Sequence, residues 1–295
     1  VALAQKFDGE IINADSQQVY RGLDIGTGKP TVEERKGVRH HLFDIAHPWE
    51  QLDAMRFAEL ADETLPQVAA RGRIAIVVGG TGLWIRALLK GLVDAPGRDE
   101  QLRARLHAEA ERHGLAFLHA RLREVDPDSA ERIRSTDPVR IIRALEVFEL
   151  GGVPLSRLYE EHRAQPPRHR ALQLGIDLPR AELDERINRR VQAMFDGGLL
   201  VETSEVLQNK RARPRVQSTM GYREALQYLE GGLSLQEAVT LTANAQRQYA
   251  RRQRTWFKAE KEWNWLEAGR FFEQAAVACE GWLRELSSPG RPHVD

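Results

Sequence analysis

The chain is poor in cysteine, has no long apolar run and carries no net charge. Of its 295 residues only Cys279 is a cysteine, so no intrachain disulfide and no cysteine-based zinc site can form, and a reducing, cytoplasmic setting is expected. No apolar run reaches the roughly 20 residues a membrane-spanning helix needs. Residues 1–6 also lack the charged-then-apolar layout of a signal peptide, so no membrane partner is expected. Lys plus Arg number 43 and Asp plus Glu 43, which argues against an indiscriminate nucleic-acid binder and leaves the distribution of charge to decide. Internal repeats, low-complexity tracts and self-complementary apolar elements are missing, and a monomer is expected.

What is present suits one large α/β domain or a domain with an insertion. Short apolar runs at residues 10–14, 74–78 and 172–178 alternate with stretches of helical period, the pattern of βαβ units and a parallel sheet. Residues 49–70, with Leu52, Met55, Ala58, Leu60 and Leu65, read as a crossover helix that Pro66 ends or kinks. Two hinge-like segments, Asp94-Ala-Pro-Gly97 and Arg163-Ala-Gln-Pro-Pro-Arg-His169, bracket a charge-rich region with helices at 99–113, 115–125 and 138–150 and no strand. We therefore expect a core of residues 1–96 and 166–286, a helical insertion over 97–165 and a frayed tail over 287–295. Within the second half of the core the pattern predicts helices at 180–195 and 199–207, a loop at 209–217 and a helix from about Gly221.

Chemistry-bearing residues gather where apolar runs end. In Glu10-Ile-Ile-Asn-Ala-Asp-Ser-Gln-Gln-Val-Tyr20 a carboxylate, Asp15, stands just past a strand, at the edge where open α/β sheets build their sites. Most Asp residues in that place are turn formers. Gly79-Gly-Thr-Gly82 follows the second strand and would put backbone N–H groups and the Thr81 hydroxyl at a helix N-terminus, unless its glycines are there only for steric reasons. Gly26-Thr-Gly-Lys-Pro30 is not a P-loop, since Leu23 stands where that motif needs its first glycine and Pro30 where it needs a hydroxyl. His40, His41 and His47 have only Asp44 as an acidic neighbour and show no metal-ligand spacing.

Basic residues gather toward the C-terminus. Residues 244–258 contain Arg247, Arg251, Arg252, Arg254 and Lys258 and no acid. Four of them, Arg247, Arg251, Arg254 and Lys258, fall on one helical stripe, with Tyr249 and Trp256 free to face a core. A solvated basic face and a phosphate-tracking surface both fit; the lack of a nearby acid favours the second. Asp137-Pro-Val-Arg-Ile-Ile-Arg-Ala-Leu-Glu-Val147 opens with an N-cap and a first-turn proline, and sets Arg140 and Arg143 apart from an apolar face of Ile141, Ala144, Leu145 and Phe148.

Together these segments resemble the tRNA dimethylallyltransferase (tRNA isopentenyltransferase, IPP transferase) family over residues 10–257. The family carries A/V-D-S-x-x-x-Y-x-G-x-D-I-G-T-x-K-P, G-G-T-x-L-Y/W, N-D-P-x-R-[IL]-x-R-A-L-E-V, x-x-x-G-Y-[RK] and R-Q-x-x-K/R-R-Q-x-T-W-[FL] blocks in this order. The resemblance implies a P-loop-NTPase-like parallel-sheet core flanked by helices, with a helical insertion. It also implies transfer of a dimethylallyl group from dimethylallyl diphosphate to N6 of the adenine beside the anticodon, position 37, of tRNA. By the same resemblance Asp15 is the base, Thr81 helps position it, and Arg223 with Mg2+ neutralises the diphosphate. tRNA contacts are implied for Asp15, Ser16, Gln17, Gln18, Thr81, Arg103, Val139, Arg140, Ile141, Ile142, Arg143, Gly221, Tyr222, Arg223, Arg247, Arg251, Arg252, Arg254 and Lys258. The family's opening G-P-T-x-S-G-K-[ST] Walker A loop is not found, and residues 1–9 resemble the back half of the helix that follows it. That loop, which would hold most of the diphosphate, is expected to have been lost from the chain, or the chain is a degenerate homologue. Three other readings stay open: prenylation of free adenine nucleotide, a small-molecule kinase, and a tRNA binder without catalysis.

Overall fold

The sequence Gly-Glu-Ile-Ile-Asn has no polar alternation, and it forms a strand buried on both faces. In the computed structural model, which describes residues 1–287, a short helix α1 (Ala2–Lys6) leads into this strand, β1 (Gly9–Asn13). The chain continues through α2 (Val32–Arg35), β2 (His40–His41), α3 (Ala54–Ala70), β3 (Ile74–Val78) and α4 (Gly82–Lys90). The three strands form a parallel sheet of order β2-β1-β3, with Ile11 opposite His40 on one side and Asn13 opposite Val78 on the other. Parallel neighbours need crossovers, and α3 supplies the one from β2 to β3. Its N-cap is Asp53, which accepts the Arg56 N–H at 2.8 Å. Pro66 does not end α3, which runs on to Ala70. Proline removes one backbone donor there, but Phe57, Ala58, Ala61, Thr64 and Val68 are buried along the helix and their packing carries it through.

Two compact units make up the chain, residues 1–89 with 169 onward, and residues 90–168. The second is wholly helical: α5 (Glu100–His113), α6 (Leu115–Val125), α7 (Pro127–Arg132), α8 (Pro138–Gly151) and α9 (Leu155–Arg163). Asp99, Asp126 and Asp137 cap α5, α7 and α8 through their side chains. Leu106, Leu118, Leu122, Ile141 and Leu145 close its core without solvent contact.

Past residue 169 the first unit resumes with β4 (Leu174–Ile176), α10 (Arg180–Asp196), α11 (Leu199–Leu207), a 3-10 turn (Lys210–Ala212), α12 (Arg213–Ser218), α13 (Tyr222–Leu229), α14 (Leu235–Ala259), β5 (Asn264–Leu266) and α15 (Phe271–Ser287). Two expectations change here. The apolar run at 172–178 gives only a three-residue strand, which pairs with β5 rather than joining the first sheet. Gly175 fits against the Trp265 ring, where a Cβ would come within 2.8 Å, so its partner is fixed by a contact far away in sequence. The loop expected at 209–217 is largely helical, because Asn209 caps the 3-10 turn and Ala212 and Val216, one turn apart, are fully buried. The expected tail lies, apart from Ser287, outside the described residues. Among the described residues no helix is long and apolar enough to cross a membrane.

Candidate active site

Asn13 is the last residue of β1 and almost fully buried, and it ties off the turn that follows. Its Nδ2 donates to the carbonyls of Leu42 (3.1 Å) and Asp15 (3.2 Å), and its Oδ1 accepts the Asp15 N–H at 3.0 Å. Asp15 is a turn former, its Oδ1 accepting the Gln17 N–H at 2.8 Å. Burial pushes the Asp15 carboxyl above its usual range, against the backbone N–H groups of Gln17 and Gln18 and the positive charge of Arg190.

The turn after β3 is fitted against this one. Thr81 Oγ1 accepts the Ser16 N–H at 3.0 Å and donates to Ser16 Oγ at 3.2 Å. A Cβ on Gly79 would overlap the Ala14 carbonyl, one on Gly80 the Gln253 amide, and one on Gly82 the Trp256 indole. The steric reading of the glycines therefore holds: they let a second turn and a helix close in on Asp15. Parallel pairing of β1 and β3 brings both turns to the same sheet edge.

Around this pair the loop of residues 17–29 is tied down at several points. Gln17 Oε1 accepts from Thr219 Oγ1 at 3.1 Å, and Gln18 Nε2 donates to the carbonyls of Thr27 (3.1 Å) and Gly28 (3.0 Å). Arg190 Nη2 donates to the Thr27 carbonyl at 3.1 Å. Lys29, whose side chain is 4% exposed, donates to the Tyr20 carbonyl at 2.8 Å and to Asp24 and Asp44 at 2.5 and 2.6 Å. It is a pin for the loop, not a phosphate hand. Among the described residues no three His, Cys, Asp or Glu side chains converge as a metal site would require; His41 instead pairs with Glu10, and His47 stacks on Trp49.

Several expected contacts are occupied from within the protein. Tyr222 is fully buried, and its hydroxyl donates to Glu202, which also accepts the N–H groups of Asp24, Ile25 and Gly26. Burial and the Glu202 charge push the Tyr222 phenol up. Gly221 is buried too and donates its N–H to Glu224 at 2.8 Å. Arg223 is half-exposed, one turn beyond Thr219, and its Nε donates to Glu224 Oε1 at 2.9 Å. In the helical unit Ile141 and Ile142 are core residues. Arg103 and Arg143 both bind the fully buried Glu146, at 2.8 and 2.7 Å. Of residues 139–143 only Val139 and Arg140 are exposed. The basic helix α14 also proves less bare than its own stretch of sequence implies. Arg254 and Lys258 both reach Asp177, at 3.0 and 2.8 Å, and Arg247 donates to Asn244 at 2.7 Å. Lys258 foremost, then Arg254, hold the Asp177 carboxyl below its usual range. Arg251 and Arg252 are exposed.

Residues that sequence reasoning missed are Arg190, Glu202, Tyr249 and Gln253. The last two had a signal, since Tyr249, Gln253 and Trp256 form a second stripe at i, i+4 and i+7 beside the basic one. Gln253 Nε2 donates to the Gly80 carbonyl at 3.0 Å, and burial, with the nearby Asp15 charge, pushes the Tyr249 phenol up. Arg190 and Glu202 act across more than 150 residues, with no local pattern to mark them. In sum the site offers a withdrawn carboxylate of raised basicity beside a fixed hydroxyl, a proton acceptor for a weakly acidic N–H.

The chain is similar to known proteins over most of its length. A relative from Anaeromyxobacter dehalogenans strain 2CP-C, a tRNA dimethylallyltransferase, is 52% identical over 266 residues, covering 90% of this chain and 89% of the relative. Two solved structures share the fold. One is the full-length tRNA isopentenylpyrophosphate transferase of Bacillus halodurans, with 35% identity, a TM-score of 0.68 and coverage of 97% of this chain and 91% of that one. The other is a eukaryotic dimethylallyltransferase acting on tRNA, with 26% identity, a TM-score of 0.76 and coverage of 100% and 76%. The family model described as IPP transferase matches residues 18–260, and with the sheet-edge carboxylate and its fitted turn in place, the chain belongs to the IPP transferase family.

Proposed function

We propose that this chain transfers a dimethylallyl group from dimethylallyl diphosphate to N6 of adenine 37 in tRNA, with Asp15 as the base. The observation that carries the reading is the Asp15 carboxylate, raised in basicity by burial and locked beside Thr81 at the sheet edge. An exocyclic amine conjugated with a purine is a poor nucleophile. As its nitrogen forms the bond to the allylic carbon, the carbon–oxygen bond to diphosphate breaks, and the amine proton passes to Asp15. A base in the anticodon loop must leave its stack to reach such a recessed group.

For the anionic parts of the substrates the reading uses the exposed cations. Arg223 faces the leaving diphosphate, its one carboxylate partner leaving guanidinium N–H groups for phosphate. Arg251 and Arg252 on α14, with Arg140 on α8, meet RNA phosphates. Mg2+ has no protein-only cage among the described residues. It commonly binds through one or two carboxylates and substrate phosphates, so in this reading it accompanies the diphosphate, and no step is derived through it.

The test is mass spectrometry of an anticodon stem-loop RNA incubated with dimethylallyl diphosphate and Mg2+. It uses this chain as it stands and the same chain fused to a G-P-T-x-S-G-K-[ST] strand and loop. One added dimethylallyl group on the RNA, lost in Asp15→Asn, supports the proposal. Product on free adenosine monophosphate but not on RNA would replace it with nucleotide prenylation. RNA binding without product in either form would replace it with a non-catalytic tRNA binder.

A further inference from the structure

The loop that follows the Asp15 turn is held by an anion supplied from another element. The N–H groups of Asp24, Ile25 and Gly26 converge on the Glu202 carboxylate of α11, at 3.1, 2.9 and 3.3 Å. The Gly26 N–H also reaches the Tyr222 hydroxyl at 3.1 Å, and that hydroxyl donates to Glu202. Successive N–H groups aimed at one point attract an anion, and here the protein's own carboxylate takes the place. A Cβ on Gly26 would overlap the Tyr222 ring, so the loop is packed as well as bonded. Hydrogen bonds from the Gly28 N–H to the Ile25 carbonyl (3.0 Å) and from the Lys29 N–H to the Asp24 carbonyl (2.9 Å) join residues 24–29 into one turn. Its Thr27 and Gly28 carbonyls accept Gln18 Nε2 at 3.1 and 3.0 Å, and Thr27 accepts Arg190 as well, at 3.1 Å. Gln18 follows Gln17, whose N–H closes the Asp15 turn at 2.8 Å.

Resting on the function proposed above, we infer that Glu202 is a positioning residue for transfer: by anchoring the N–H groups of residues 24–26 it sets the Thr27 and Gly28 carbonyls that hold Gln18, and with Gln18 the far end of the Asp15 turn. A carboxylate suits this task. Its two oxygens take three backbone donors and a phenol at once, and hydrogen bonds to a charged acceptor are roughly twice as strong as neutral ones. A glutamine in its place keeps the shape and one acceptor oxygen, but turns an NH2 group toward donors that have nothing to accept it.

The experiment is a double-mutant cycle in single-turnover transfer at saturating RNA, with Glu202→Gln, Gln18→Ala and the pair. Glu202→Gln is expected to slow transfer about tenfold with RNA Kd within about twofold, and to add less than about twofold on top of Gln18→Ala. Backbone amide exchange gives a readout free of turnover: in Glu202→Gln the Gly26 and Gly28 amides should exchange about tenfold faster and the Gln17 amide about threefold faster, with those of Ile11 and Ile12 unchanged. A purely structural anchor would loosen Gly26 and Gly28 and leave Gln17 and the rate alone. Tyr222→Phe keeps the ring against Gly26 and removes only the hydroxyl; it should show the same pattern at about threefold in rate, and it decides the matter if Glu202→Gln does not fold. Transfer within about twofold of wild type in Glu202→Gln would overturn the inference, as would an equal loss in both backgrounds, an unchanged Gln17 amide or a general loosening of β1. Should the unmodified protein make no product, the proposed function falls, while Gln17 exchange still decides whether Glu202 holds the turn.

Discussion

Asp15, in the turn just past β1, and Glu146, in the middle of α8, both sit in partly or fully buried surroundings, yet the protein treats them in opposite ways. Asp15 is met by backbone N–H groups, with Arg190 acting only through its charge, and burial prevails, raising its affinity for a proton. Glu146 has no solvent contact at all. Burial by itself would raise its carboxyl as well, but Arg103, Arg143 and the Asp99 N–H bind it at 2.7–2.9 Å and hold it at about 2. Cations that hydrogen-bond a buried carboxylate directly make it a permanent anion; where it has only backbone N–H groups and a charge acting from a distance, burial prevails and leaves it with a raised affinity for a proton.

The largest effect should come from Asp15→Asn. The Asn side chain keeps an acceptor for the Gln17 N–H but cannot take the amine proton. Transfer should fall by about 10²- to 10⁴-fold, with tRNA affinity within a few-fold and thermal stability unchanged or higher. The sign on stability follows from linkage. A carboxyl with a raised folded pKa contributes stability below its unfolded value and loses it as pH rises through the folded one, so at neutral pH the ionised Asp15 is a cost that Asn removes. By the same shift the acidic limb of the rate–pH profile should lie above the usual carboxylate range. A fall in binding equal to the fall in rate would instead make Asp15 a tRNA ligand.

Glu146→Ala should do the reverse, costing about 2–4 kcal/mol of stability by leaving Arg103 and Arg143 without their anion. Urea unfolding followed by a probe in the helical unit measures it. The pH dependence is opposite in sign to that of Asp15. With its folded pKa lowered to about 2, Glu146 contributes stability that is present above the usual Glu value of about 4.3 and lost as pH falls toward 2. If the Ala variant unfolds at the wild-type urea concentration, Glu146 is a passive passenger in its core.

The sequence made one of these carboxylates legible and hid the other. Asp15 stands in a local pattern, an apolar run breaking into a polar turn, and pairing of β1 with β3 then brings Thr81 beside it because both runs end at the same edge. The apolar run at 74–78 reads directly as β3, and the helices of the insertion follow from Asp caps and helical period. Glu146 looked like one more charge on an Arg-rich helix, since nothing near it in sequence announces Arg103. The same blindness hid the pairing of Arg143 with Glu146, turned the run at 172–178 into a strand of the main sheet, and made α14 look uncompensated when Asp177 sits against it. Periodicity reports which face a residue occupies; it does not report which distant element arrives there.

That last error yields the smallest prediction and the one that carries the comparison onto the surface. Asp177 is an anion of the Glu146 kind, held below its usual range by Lys258 and Arg254, but its partners are about half-exposed. Exposed pairs are worth little to stability, so Asp177→Asn should leave the melting temperature nearly unchanged. Its effect should appear in RNA binding, where two released cations on α14 should tighten Kd by about twofold to fivefold and steepen its dependence on salt. Arg251→Ala should weaken binding by a similar factor and flatten that dependence, whereas Arg143→Ala should leave both alone and lower only stability. Anticodon stem-loop titrations at three salt concentrations separate the cases. An Asp177→Asn variant that binds no more tightly would mean that Arg254 and Lys258 lie off the RNA path, leaving Arg251 and Arg252 as the part of α14 that meets it.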